Sequence, residues 1–258
     1  MSLGLVAALS AAWLAPLGAD ETTPRPPRLR HAPSSPLLLD LPLVELRASL
    51  ATRIAGGDGD AAYLLAHALA RCAVERAAPP PTVVELCRGD ERPSLRDWWR
   101  TLELAAQLGS LEATSEYLDL QPPLMREVSM SAGPTPEQTA EMRSILVRRI
   151  ALAQVAAERG SLAAIVWQAW ALRGGMVLAG EELLARDPVG AYARFRAAAL
   201  IRAAAGYAPE TAAARTTATL DANAATALEA ELSPERRTEA EAIARWIVTA
   251  PECCLVQP

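Results

Sequence analysis

Few residues of this chain are equipped for chemistry: two histidines, His31 and His67, and four cysteines, Cys72, Cys87, Cys253 and Cys254. A histidine acts as a general base only where a nucleophile and an orienting carboxylate stand beside it. Neither histidine has such partners in a recognisable order along the sequence, so His67 reads as a structural residue within a helix. Gly56-Gly57-Asp58-Gly59-Asp60 resembles the start of a calcium loop, but the remaining ligands and the closing Glu are missing. Asp58 or Asp60 is expected to cap a helix instead. The Cys-x-x-Cys spacing of structural zinc is missing, as are phosphate-cradling and zinc-protease motifs. Arg88-Gly89-Asp90 matches an adhesion tripeptide, a match short enough to arise by chance. No catalytic residue, metal ligand or cofactor is therefore expected.

The cysteines fit disulfide chemistry better. Cys72 and Cys87 are the natural pair, closing a short loop across Pro79-Pro80-Pro81. A loop of that length adds about 3 kcal/mol by chain-entropy reasoning. Adjacent Cys253 and Cys254 bond to each other only with strain, which leaves free thiols or a link to another chain, including a disulfide-linked homodimer. Disulfides persist in oxidising compartments, and the N-terminus points the same way. Residues 2–17 form an uncharged apolar run, followed by Gly18-Ala19 and acidic Asp20-Glu21. This reads as a secretory signal peptide over residues 1–19, too short to span a membrane comfortably. Residues 20–42, rich in Pro and Arg, read as a linker. A periplasmic or secreted location follows.

The elements that must carry these residues are helices. The chain has 258 residues, 51% of them hydrophobic, but aromatics make up only 4%, with Phe195 the single Phe. Sheets need β-branched and aromatic residues on their pleated faces; Ala and Leu, dominant here, favour helix. The net charge of −5 argues against nucleic acid as a partner. All 25 basic residues are Arg, and the lack of Lys excludes Schiff-base and P-loop chemistry.

Two segments about fifty residues apart carry one motif. Residues 105–113 read A-A-Q-L-G-S-L-E-A and residues 156–164 read A-A-E-R-G-S-L-A-A, with a degenerate copy at residues 55–61. Gly ends a helix in the left-handed region, Ser or Asp caps the next helix, and small residues let the two approach closely. Each copy is thus a helix–turn–helix corner. Apolar spacing supports helices on both sides, at Ala62, Leu65, Ala66 and Leu69, and at Met142, Ile145, Leu146, Ile150 and Ala153. Thr135-Pro136-Glu137-Gln138 is a capping box; Ser94, Asp187 and Ser233 mark further starts. About eight to ten helices are predicted. Residues 121–123 and 129–136 interrupt the pattern and are predicted to belong to one long connection between the second and third units, and a turn is predicted around Gly174-Gly175 and Gly180.

The pattern A-A-x-x-G-S/D-x-x-A resembles the corner of Sel1-like repeats, a branch of the TPR-like helical repeats. Asp187, Ala191, Phe195, Ala198 and Ala199 are similar to the same family's arrangement of an Asp, an Ala, an aromatic four residues on and an Ala pair, and Trp98-Trp99 to its aromatic pair; the likeness spans residues 43–201. It implies an all-α fold, an α-solenoid wound as a right-handed superhelix of antiparallel helix pairs, with the repeat domain over residues 43–250 and a cysteine-bearing tail over 251–258. It also implies a bacterial scaffold or adaptor, exported and not an enzyme. A protein partner would be gripped by Trp98, Trp99, Trp167 and Trp170, because Trp dominates interface hot spots. Trp98 and Trp99 cannot both face inward. Trp167 and Trp170 share a helix face, which equally suits a core position. The competing readings are a disulfide-linked assembly protein and an enzyme of unfamiliar type built around His67 in a deep pocket.

Overall fold

The computed structural model describes residues 41–73, 81–88, 93–129, 133–204 and 212–249. The predicted signal peptide and most of the predicted linker, His31, Gly89-Asp90 and the tail with Cys253 and Cys254 lie outside the described residues. Within them the chain is all-α apart from one short hairpin. Helices α1 (Leu43–Ala55) and α2 (Gly59–Ala73) form a first pair, followed by a short α3 (Pro81–Leu86). Next come α4 (Leu95–Gln107), α5 (Leu111–Asp119) and a short α6 (Pro123–Ser129), then the long α7 (Pro136–Glu158) and α8 (Leu162–Gly174). Strands β1 (Met176–Leu178) and β2 (Glu181–Leu184) precede α9 (Pro188–Ala204), α10 (Ala212–Glu231) and α11 (Pro234–Thr249).

The three corners share one hydrogen-bond geometry. Gly57, Gly109 and Gly160 have φ of 90°, 93° and 82°. At each, the glycine N–H and the next N–H reach back to two carbonyls of the helix just ended. Gly109 donates to Ala106 at 3.0 Å and Ser110 to Ala105 at 3.1 Å; Gly160 and Ser161 do the same to Ala157 and Ala156, and Gly57 and Asp58 to Ile54 and Arg53. This double closure satisfies carbonyls that a helix end leaves bare. The same following residue then caps the new helix. Asp58 accepts from the Ala61 N–H at 2.9 Å, Ser110 from Ala113 at 3.4 Å and Ser161 from Ala164 at 3.3 Å. The capping box at Thr135 and Gln138 is present, with Pro136 at the first helical position, and Ser94 makes a second with Asp97.

Successive corners touch. A Cβ added to Gly59 would lie 2.8 Å from the Ser110 nitrogen and 3.0 Å from the Ala105 and Leu108 carbonyl oxygens, so α2 begins against the second corner. A Cβ on Gly109 would lie 3.1 Å from Nη1 of Arg159, at the third. Small residues carry the contact between units: Ala62 and Ala66 of α2 pack with Trp99, Leu102 and Ala106 of α4 and with Ala113 and Tyr117 of α5. Helix α9 is the most enclosed, held by α8, α10 and α11 through Ala191, Ala193, Phe195 and Ala197.

At the N-terminal end Leu43, Leu46 and Leu50 pack on Leu64, Leu69 and Leu86. Cys72 and Cys87 are joined by a disulfide with their Cα atoms 5.7 Å apart. It ties α3, a single helical turn and a half, to α2.

Two connections differ from the sequence expectation. Residues 123–129 coil into α6, whose Leu124 packs on Met142 and Ile145 of α7. The predicted turn around Gly180 is the tip of a β-hairpin, pairing Leu178 with Glu181 and Val177 with Glu182. Ala179 and Gly180 both have positive φ, 51° and 83°, as a two-residue hairpin loop of this twist demands. The hairpin is fastened on two sides. Arg143 of α7 clasps Glu181 at 2.6 and 2.8 Å, and Arg186 clasps Glu231 of α10 at 2.6 and 2.7 Å.

Two stability outcomes follow from this packing. Gly59→Ala forces a methyl into backbone atoms of the second corner and should cost about 1–3 kcal/mol in urea unfolding; a loss below half of that range would mean the corners do not touch. Reduction of Cys72–Cys87 should lower the unfolding free energy by about 3 kcal/mol, whereas an unchanged urea midpoint would show that α3 is held without it.

Candidate functional site

The four tryptophans do not form one groove. Trp99 is buried, 5% exposed, and its ring lies 4.7 Å from that of Tyr117. Trp98 is half-buried, set edge-on to Trp99 at 6.1 Å and packed against the clusters around both α1 and α4. Trp167 is also half-buried. Its ring faces the Arg149 guanidinium at 5.8 Å, and Tyr117 faces the same group at 5.7 Å. Arg149 is itself buried and donates to the Leu118 carbonyl. Burial pushes its guanidinium below the ordinary range, against the pull of Tyr117 and Asp119. Trp170 is the most exposed of the four at 38%, yet its indole N–H is committed to Asp221 of α10 at 2.9 Å. Asp221 also receives Arg202 at 2.8 Å. The tryptophans thus join helices to one another, with Trp170 keeping the most surface open to solvent.

His67 has the carboxylate that sequence order concealed. Glu116 of α5 lies 3.4 Å from its Nε2, and Tyr63, one turn earlier on α2, packs edge-on to the imidazole at 4.5 Å. Burial pushes the Glu116 carboxyl up, but hydrogen bonds from His67 and Tyr63 with the His67 charge outweigh it, and the carboxyl titrates below its ordinary value. Burial and the neighbouring Glu116 push the Tyr63 hydroxyl well above the usual tyrosine range. The cluster clasps α2 to α5. Among the described residues no group of three His, Cys, Asp or Glu is placed to hold a metal ion, and no helix is long and apolar enough to cross a membrane.

Exposed apolar side chains occur on several elements, Val84, Val177, Leu220 and Trp246 among them, and four stand on α4 and α7. Leu104 of α4 is exposed, as are Val147, Ala151 and Val155 of α7, four residues apart and therefore on one helix stripe. The two helices are bridged by the ion pair of Arg148 with Glu103. Beside it, Ala106 of α4, Gly109 of the corner and Thr114 of α5, with Leu152, Val155 and Ala156 of α7, line a shallow depression of about 20 Å³, room for about one water. Small residues of the corner motif, Ala106, Gly109 and Ala156, contribute to its lining. Sequence reading missed it, having looked to aromatic residues. It also passed over Trp246 of α11, 64% exposed, whose neighbours Ile247 and Val248 face the core.

The Glu116 clasp has a defined pH response. Its folded-state pKa is depressed, so its contribution is present above the ordinary glutamate value and lost as pH falls through the folded one. The urea midpoint of the protein should fall from about pH 5 to 3, and Glu116→Gln should flatten part of that slope. Identical slopes would remove the clasp from the account. In comparisons with known proteins, no family model, no curated protein and no solved structure matches the chain.

Proposed function

We propose that this chain is an exported helical-repeat scaffold, a Sel1-like or TPR-like solenoid of antiparallel helix pairs that binds a protein partner in the bacterial cell envelope without catalysis. The observation that carries the reading is the recurrence of one corner, with the same two backbone closures and the same cap, at Gly57, Gly109 and Gly160. Stacked corners build a long surface from local contacts, and such a surface is the functional part of repeat proteins. The disulfide between Cys72 and Cys87 supports an oxidising compartment. The exposed stripe of Val147, Ala151 and Val155 on α7 supports a partner-binding face, since exposed apolar patches commonly mark interaction sites.

The test is in-cell cross-linking of the epitope-tagged full-length chain, followed by capture and sequencing of its N-terminus. The chemistry must be photochemical, because the chain has no Lys. A recovered start near Asp20 with one protein cross-linked in stoichiometric yield is the expected result. An intact Met1 would overturn export, and recovery of the chain alone would overturn the scaffold reading. A homodimer band lost on adding reductant would favour the assembly role of Cys253 or Cys254 instead.

A further inference from the structure

We propose that the disulfide between Cys72 and Cys87 is a redox-sensitive latch. Oxidised, it pins α3 as a cover on the apolar face built by α1 and α2. Reduced, it lets α3 leave while the other helices stay folded. The latch stands apart from the scaffold reading and needs no partner.

The attachment of α3 argues for it. Val83 and Leu86 are buried, whereas Val84 faces solvent. Leu86 completes the cluster of Leu43, Leu46, Leu50, Leu64 and Leu69. The polar contacts of α3 stay local. The Cys87 N–H donates to the Val83 carbonyl at 3.0 Å and that of Arg88 to Glu85 at 3.2 Å, while the Arg88 guanidinium pairs with the Glu85 carboxylate at 2.6 Å. Among the described residues no hydrogen bond or ion pair runs from α3 to another element. Two buried side chains are thus set against the ordering of six residues, and a helix that short does not hold its shape alone. The covalent bond is what keeps α3 in place.

The rest of the fold does not share this dependence. Helices α1 and α2 are joined by their own leucines and by the corner at Gly57, where Arg53 pairs with Asp58 at 2.7 Å. Helix α2 packs on α4 and α5 through a separate cluster that includes Ala62, Ala66, Trp99 and Tyr117. Loss of α3 would therefore bare part of the leucine cluster without parting the helices beneath it.

The chemistry needs a dithiol as co-reactant. Cys87 is half-buried and Cys72 only 4% exposed, so the bond is approached from the Cys87 side. One thiolate of the dithiol attacks the Cys87 Sγ, the protein S–S bond breaks, and Cys72 leaves as a thiolate that takes up a proton. The second thiolate then breaks the mixed disulfide and releases Cys87 in the same way. The protein gains two electrons and two protons, and the dithiol, losing them, ends as a disulfide.

The test uses the full-length protein carrying Cys253→Ser and Cys254→Ser, which leaves Cys72 and Cys87 as the one redox couple. Hydrogen exchange is read by mass spectrometry with and without dithiothreitol. Amides of residues 85–88 should exchange about tenfold faster or more after reduction, and those of α4, α7 and α9 should change less than about twofold. In the reduced protein iodoacetamide should label Cys72 at close to the rate of Cys87, because the departure of α3 bares it. Cys87→Ser should show the same fast exchange without reductant; reducing the already folded protein keeps the test clear of a folding failure in that variant. Unchanged exchange at residues 85–88, or a Cys72 that stays unlabelled while Cys87 reacts, would show that α3 docks unaided and overturn the latch. Faster exchange throughout α4, α7 and α9 would overturn it too, making the bond a support for the whole fold.

Discussion

A glycine held in the left-handed region is the constraint on which this fold turns. At Gly57, Gly109 and Gly160 the chain must end one helix and begin another within three residues, and only a positive φ lets both backbone closures form. That reversal fixes which face of the second helix meets the first. It also brings the next residue, Asp58, Ser110 or Ser161, into capping position. Because Gly59 has no side chain, the first corner settles against the second. Remove the reversal and the helices survive as helices, but their relative placement is lost.

Charge then locks what the corners align. Arg148 with Glu103, Arg143 with Glu181 and Arg186 with Glu231 each join elements far apart in sequence. The last two are exposed and contribute little singly, so they act more as registration marks than as a source of stability. Two carboxylates are buried instead: Glu103 under Arg148, and Asp221, which serves both Trp170 and Arg202. Truncating one partner there would strand a charge in an apolar setting, a large penalty.

Local chemistry was readable from the sequence wherever it involved residues close along the chain. The corners, the capping box at Thr135 and the helix starts at Ser94 and Asp187 all rest on side-chain to backbone bonds a few residues long, and they stand where the spacing placed them. The hairpin was not readable, because Met-Val-Leu-Ala-Gly-Glu-Glu-Leu-Leu lacks an Asn-Gly turn and puts Ala179 where glycine or asparagine is usual. The surface chemistry was also hidden. Spacing puts Trp167 and Trp170 on one helix face, but only the tertiary fold shows one wrapped around Arg149 and the other bound to Asp221. Likewise nothing near His67 in sequence announces Glu116.

The principal contacts of each helix reach no farther than the third helix along the chain. Such a topology asks for little long-range search during folding, since most loops to be closed are short. Under the proposed repeat architecture, structure can begin at any well-capped pair and spread to its neighbours. The ends then become the weakest ground, with one face each to bury instead of two. Toward the N-terminal end the covalent bond between Cys72 and Cys87 ties α3, whose principal partner is α2, to that helix, so the cross-link among the described residues lies in one of the end units.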